Sequence, residues 1–515
     1  MTVSTQLFRK KPIAQIQAEA NSQTLKRTLG PLNLISLGIA CIIGAGIFVM
    51  TGTASAQHAG PAIVYSFMLA GLACAFTGLC YAELTSMLPI SGSAYTYSYA
   101  TLGEFLAWVM GCLLLLEYGV ASATVAVGWS GYLVSFFKEF GIIIPPEFSL
   151  PYGVEKTLQD GTVVTGIFNV PAFLGMLAVT SLLIVGVKES AFVMNIMVVT
   201  KLIVIVLFVG VGLFFIDPAN WTPFIPDMVT DAEGNSHYGF HGVVTAAGII
   251  FFSYIGFEAV STAAQEAKNP QRDVPIGILG SLFICTAIYI VVSMVLTGVA
   301  HYSKLNVPDP IAVAVDIMSM SSQTTGEASS GFKALVLLVK LGALMGLSSV
   351  MLVTTYSQTR VFYVMSRDGL LPPFFSKVHE RFKTPYLNTM FVGTALAFAA
   401  ALTPISVLGH LVSMGTLTAF AVVCFSVLYL RQKEPGLNRP FRTPFMPVTP
   451  ILGIFACGYI IWHMEAETFR LLGYYLAIGI AFYFVYSLRH SKLKEGKAGP
   501  SLATPPLSPD PTGMS

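Results

Sequence analysis

The sequence predicts an all-α polytopic membrane protein of twelve transmembrane spans, ten of them arranged as two inverted five-helix repeats. Three observations carry that expectation. Hydrophobic residues make up 54% of the 515 and charged residues only 10%, where soluble domains carry about 25% charged residues. The mean hydropathy of +0.72 comes from separate apolar runs near the roughly 20 residues that a helix needs to cross hydrocarbon. The first and sixth of these runs are interrupted by glycine at matching places.

In chain order, residues 1–30 are polar and basic and lack the apolar core and cleavage site of a removable signal peptide. They are expected to form a cytoplasmic N-terminal segment. Spans 1–5 follow at 31–56, 61–87, 103–137, 167–187 and 190–216. Spans 6–10 read as 240–263, 273–300, 332–365, 386–403 and 408–430. Spans 3 and 8 exceed what a bilayer requires, which implies tilt or extension beyond it. Spans 11 and 12, at 446–463 and 467–488, are two additional helices, and the Pro/Ser-rich stretch 489–515 reads as a disordered cytoplasmic tail.

An even number of spans places both termini on one side. That side would carry 21 of the 28 Lys and Arg residues and the other side 5, with Lys201 and Lys340 inside spans. The positive-inside rule therefore puts both termini in the cytoplasm. A net charge of +2 gives no reason to expect a nucleic-acid partner. All seven cysteines lie in apolar runs, and no Cys/His spacing suits a metal. No cofactor and no metal are expected.

Residues 31–216 and 240–430 form blocks of 186 and 191 residues, each opening on an interrupted span: "IIGAGIF" in span 1 and "FFSYIGFEAV" in span 6. Because five is odd, the second block must lie inverted in the membrane. Interrupted spans at corresponding positions of two halves point to the binding site of an inverted-repeat transporter.

Breaking a helix in lipid frees N–H and C=O groups that must be satisfied by protein, water or ligand. The half-helix beginning at Gly44, Ala45 and Gly46 would present N–H groups and a positive dipole end to a carboxylate. Carbonyls near Ile42 and Ile43, and along Phe252, Ser253, Tyr254, Ile255 and Gly256, suit an ammonium group. Together they form a receptor for an α-amino acid. The other reading of the small residues is close helix packing.

Five further positions carry chemistry. Lys201 lies about 11 residues into span 5, or roughly 16 Å along a helix, beyond the reach of simple snorkelling. Burial makes its charged form costly, so it could exchange a proton during a transport cycle; a permanent ion pair or carbonyl anchor is the plainer reading. Glu117 in span 3 would face the pocket, bind Lys201, or pack as a hydrogen-bonded acid. Glu258 follows the span 6 interruption and would tie down freed N–H groups or relay a proton. Thr354 and Thr355, in the polar stretch "LSSVMLVTTYSQTR", would line the cavity or satisfy their own helix. Lys340 reads as snorkelling to water, and the histidines near span ends read as interfacial.

The chain resembles the amino acid–polyamine–organocation superfamily, and within it bacterial members of the cationic amino acid transporter family. The most specific stretches are "YAELTSMLPISGSAYTYSYATLGEFLAW", "EAKNPQRDVPIGI" and "SRDGLLP", with "GAGIF" and "SYIGFEAVSTAAQE" beside them. The resemblance covers about residues 30–490 and implies the LeuT-type fold, with spans 1 and 6 unwound at mid-membrane. It implies that the N–H groups of Ala45 and Gly46 bind substrate carboxylate and that the carbonyls of Ile42, Phe252 and Ile255 hold its amine. It also matches Lys201 to a lysine linked to proton coupling, Glu117 to a pocket-side glutamate, and Thr354–Thr355 to a position that sets pocket volume.

The expected function is secondary active amino acid transport, as proton-coupled uptake by alternating access. The alternatives are an exchanger selective for cationic amino acids and an amino acid sensor. No nucleophile–base pair or metal motif suggests an enzyme. The expected partners are an L-amino acid, a proton and the bilayer of a plasma membrane, with the chain acting as a monomer.

Overall fold

The computed structural model describes residues 7–12, 29–89, 93–157, 162–185, 187–230, 236–264, 267–307, 309–324, 329–382 and 384–493. Most of the expected N-terminal segment and the tail beyond 493 lie outside the described residues. Among those described, eight helices are long and apolar enough to cross a membrane, and five shorter apolar helices accompany them.

The helices, in chain order, are α1 (Pro31–Ile42), α2 (Gly46–Met87), α3 (Ser93–Thr101), α4 (Glu104–Lys138), α5 (Val170–Val185), α6 (Val187–Gly212), α7 (Gly239–Ile250) and α8 (Ala259–Thr262). They continue with α9 (Pro270–Val299), α10 (Pro310–Thr324), α11 (Ser329–Arg367), α12 (Tyr386–Leu402), α13 (Ile405–Lys433), α14 (Val448–Trp462) and α15 (Ala466–His490). Each expected span falls on helix, although α2 runs from the second half of span 1 through span 2 without a non-helical gap. Two helices, α3 and α10, were not expected. Two small antiparallel hairpins decorate the loops: β1 (Glu155–Thr157) with β2 (Val163–Thr165), and β3 (Val229–Thr230) with β4 (Ser236–His237).

Proline sets several helix starts, since its missing N–H is unneeded in a first turn: Pro31 begins α1 and Pro270 begins α9. In α9, Asp273 also accepts from the Asn269 N–H at 3.1 Å, pairing an acid with the positive end of the helix. Helix α9 runs against α1 and α2, α11 against α4 and α6, and α12 against α5.

Lipid offers little hydrophobic drive for helix association, so packing and interhelical hydrogen bonds matter, the latter averaging about 0.6 kcal/mol each. Tyr132 of α4 donates to Phe48 O at 2.7 Å, Ser66 of α2 to Val243 O at 2.7 Å, and Tyr254 to Phe67 O at 2.8 Å. These bonds tie both interrupted spans to their neighbours.

Candidate functional site

The first break follows from one residue leaving helical geometry. Ile43 is extended, with ψ 101°, so α1 ends at Ile42 and helix resumes as a π-turn over Gly46–Met50. The resumed helix leaves its first N–H groups without acceptors in its own turn. The second break runs through a 3-10 turn, Phe251–Tyr254, to Ile255, which leaves helical geometry at ψ 132°, and to Gly256 at φ +118°. That φ favours glycine, and a Cβ there would lie 2.7 Å from Cys41 Cβ.

The two breaks touch. A Cβ at Gly46 would overlap Ser253, and one at Gly44 would lie 2.8 Å from Val350 Cγ2 of α11. In this conformation the small residues serve close packing, the plainer of the two readings of "GAGIF". Ile43, Phe252, Ile255 and Val350 are buried around the breaks.

Charged and phenolic side chains, rather than the next helical turn, satisfy the freed backbone. Lys201 of α6 is fully buried, and its Nζ donates to Ala40 O at 2.5 Å, Ile43 O at 2.8 Å and Ser349 Oγ of α11 at 3.4 Å. Those three bonds use all three ammonium hydrogens. Room for the lysine stem comes from Gly346, where a Cβ would lie 3.1 Å from Lys201 Cβ. At the second break the Gly256 N–H donates to both carboxylate oxygens of Glu258 at 3.0 Å. Tyr289 of α9 reaches both breaks, its hydroxyl lying 2.7 Å from Ile42 O and 2.7 Å from Ser253 O.

Several expectations change against this geometry. Ile42 O, expected to face a substrate amine, is occupied by Tyr289, and Phe252 O accepts from Ile255 N at 3.2 Å within its own turn. Lys201 does not pair with Glu117. Glu117 sits in a π-turn of α4, Leu115–Val120, fully buried and carboxyl to carboxyl with Glu258, and among the described residues it meets no other hydrogen-bond partner. Turns of this kind are frequent at functional sites. Thr354 donates to Val350 O of its own helix at 2.8 Å, and Thr355 pairs with Ser122 of α4 at 2.7 Å. Both hydroxyls therefore hold helices as found here.

Lys340 does not snorkel: it is buried and donates to Glu139 at 2.6 Å. Four histidines pair, His58 against His237 at 5.4 Å and His241 against His463 at 5.6 Å between ring centres. Tyr289 was missed. Its only signal in the sequence is a phenol inside the apolar run "FICTAIYIVV", where the hydroxyl needs a partner when buried.

Two helices broken side by side inside a sheath of apolar helices define a membrane permease: backbone this irregular persists at membrane depth only where protein buries it or a cavity receives it. The chain belongs to the amino acid permease family, whose model matches residues 29–485. It is similar to the methylthioribose transporter of Bacillus subtilis, at 43% identity over 95% of this chain and 99% of that one. It is also similar to the branched-chain amino acid permease BcaP of the same organism, at 44% over 95% and 99%. The cationic amino acid transporter 9, chloroplastic, of Arabidopsis thaliana is 38% identical over 91% of this chain and 79% of that one. The family and these relatives are transporters, not enzymes, and the chain is a multi-pass membrane protein.

Proposed function

We propose that the chain imports an L-amino acid together with a proton by alternating access, within a twelve-span, LeuT-type inverted-repeat architecture whose termini are cytoplasmic. The observation that carries this reading is the Lys201 ammonium on the carbonyls of Ala40 and Ile43. A buried cation completing the end of α1 does there what a bound metal cation would do, and it carries a proton that it can lose. Deprotonation would leave one fewer donor for those carbonyls and loosen α1 from α6 and α11. Sodium coupling is disfavoured, because a second cation beside the ammonium would be repelled.

The amino acid's carboxylate would meet the N–H groups of Gly44, Ala45 and Gly46, and its amine would compete with the Tyr289 hydroxyl for Ile42 O. Apolar neighbours of the breaks favour a neutral, aliphatic side chain, in keeping with the branched-chain permease among the relatives. A second reading has one observation in its favour: Glu117 is buried against another acid, Glu258, with no cation beside it among the described residues, which suits a cationic side chain and an exchange cycle.

Labelled leucine and arginine uptake into liposomes, with an inward proton gradient, a sodium gradient, or unlabelled amino acid inside, separates the two. Proton-driven leucine uptake supports import. Arginine uptake that ignores the proton gradient and requires internal amino acid would replace it with exchange.

A further inference from the structure

A groove of about 580 Å³ opens beside the first turns of α9, away from the broken helices. One wall is a single face of α9: Arg272, then Ile276 one turn on, then Leu279 and Gly280. That face continues toward the bilayer through Phe283, 77% exposed, and Ile284, also exposed. Gly280 lets the floor reach α1, where a Cβ would lie 3.0 Å from Ile35.

The opposite wall is Pro440 and Phe441 in the loop after α13. This wall is anchored. Phe441 N donates to Ser86 Oγ at 3.2 Å, and Thr443 N to Glu83 at 2.7 Å. Glu83 in turn accepts two 2.8 Å bonds from Arg431 and sits 3.4 Å from Arg439.

The groove has a cationic end and an apolar length. Arg272 lines the groove and Arg442 follows the lining Phe441 in sequence; both are exposed, and among the described residues no carboxylate lies within ion-pair distance of either. Basic pockets between helices on the cytoplasmic side suit acidic lipid headgroups.

We propose that this groove seats an anionic phospholipid of the cytoplasmic leaflet. Its phosphate lies on Arg272 and Arg442, and one acyl chain runs along Ile276 and Gly280 toward Phe283. The proposal rests on the cytoplasmic placement of this end, given above, and is independent of which solute is carried. The lipid would bridge α9, which holds both breaks through Tyr289, to the loop between α13 and α14.

The test uses the full chain in detergent, melted with phosphatidylglycerol, with phosphatidylcholine of the same chains, or with soluble glycerol phosphate. Phosphatidylglycerol is expected to raise the melting temperature by several degrees more than phosphatidylcholine, and glycerol phosphate to leave it unchanged. The Arg272→Gln/Arg442→Gln variant is expected to lose that excess while keeping both its response to phosphatidylcholine and its stabilisation by the transported solute. The proposal is overturned if the variant keeps the excess, if the two lipids act alike on the wild type, or if glycerol phosphate alone reproduces the shift. Loss of solute stabilisation in the wild type would count against the transport reading and leave the lipid result standing.

Discussion

The two broken helices solve one problem by opposite means. At the first break the exposed groups are carbonyls at the C-terminal end of α1, and a cation arriving from α6, 158 and 161 residues away in sequence, satisfies them. At the second the exposed group is the Gly256 N–H, and a carboxylate two residues along the same chain takes it. In each case the charge opposes the partial charge of the backbone it meets. A local cap survives any movement of its helix, whereas a cap borrowed from another helix fixes the two together. On the proposed reading, the Lys201 contact is the one a proton would switch, and Glu258 would hold its turn through the cycle.

The sharpest way to break this contrast is Lys201→Met. Each orphaned buried carbonyl costs about 1–3 kcal/mol, so the variant should melt well below wild type and lose proton-driven uptake altogether. Full uptake by a well-folded Lys201→Met would dissolve the distinction.

Glu258→Leu comes next, orphaning one N–H at about 1–3 kcal/mol, while Glu258→Gln keeps an acceptor and should cost about 1 kcal/mol or less. For a local cap, the pH dependence of uptake by Glu258→Gln should match wild type. A shifted profile would make Glu258 a proton carrier as well.

Tyr289→Phe should cost about 1 kcal/mol in the empty protein, since the phenol has a single hydrogen to share between the two carbonyls. With Ile42 O released, stabilisation by substrate should grow. Unchanged stabilisation in calorimetry would mean that the hydroxyl does not compete with the amine.

The smallest effect is expected at Asp309, a half-buried acid at the start of α10 that serves neither break. Burial raises its carboxyl above the ordinary 3.8, with the Ser135 hydroxyl and the Lys340 charge opposing. Its neutral form is thus the better buried, and the charged form lowers stability as pH rises through that raised value. Asp309→Asn should melt higher than wild type at neutral pH, with the difference closing in acid. A lower melting temperature at neutral pH would make the charge stabilising.

Much of this was legible in the sequence because it is local. Among the described residues, apolar runs marked each of the eight helices long and apolar enough to cross a membrane, and the glycines of "GAGIF" and "SYIGFE" marked both breaks. Glu258 could be read as a cap because its target is two residues away. Lys201 stood out as a charge too deep to snorkel, but its choice of Ala40 and Ile43 over Glu117 is a matter of helix packing that no spacing encodes. Tyr289 depends on carbonyls 247 and 36 residues away, and Lys340 on an acid 201 residues away. Helix α3 escaped notice because "SAYTYSYAT" is too polar and short to read as a span, yet its tyrosines Tyr95, Tyr97 and Tyr99 are buried against the bundle.

Uptake of labelled leucine into liposomes under an imposed inward proton gradient, comparing wild type with Lys201→Met, tests the central claim most directly. The account predicts accumulation by the wild type that collapses when the gradient is dissipated and ignores sodium, and none by the variant even where it still binds leucine. Gradient-driven accumulation by Lys201→Met, or wild-type accumulation that follows sodium, would contradict it.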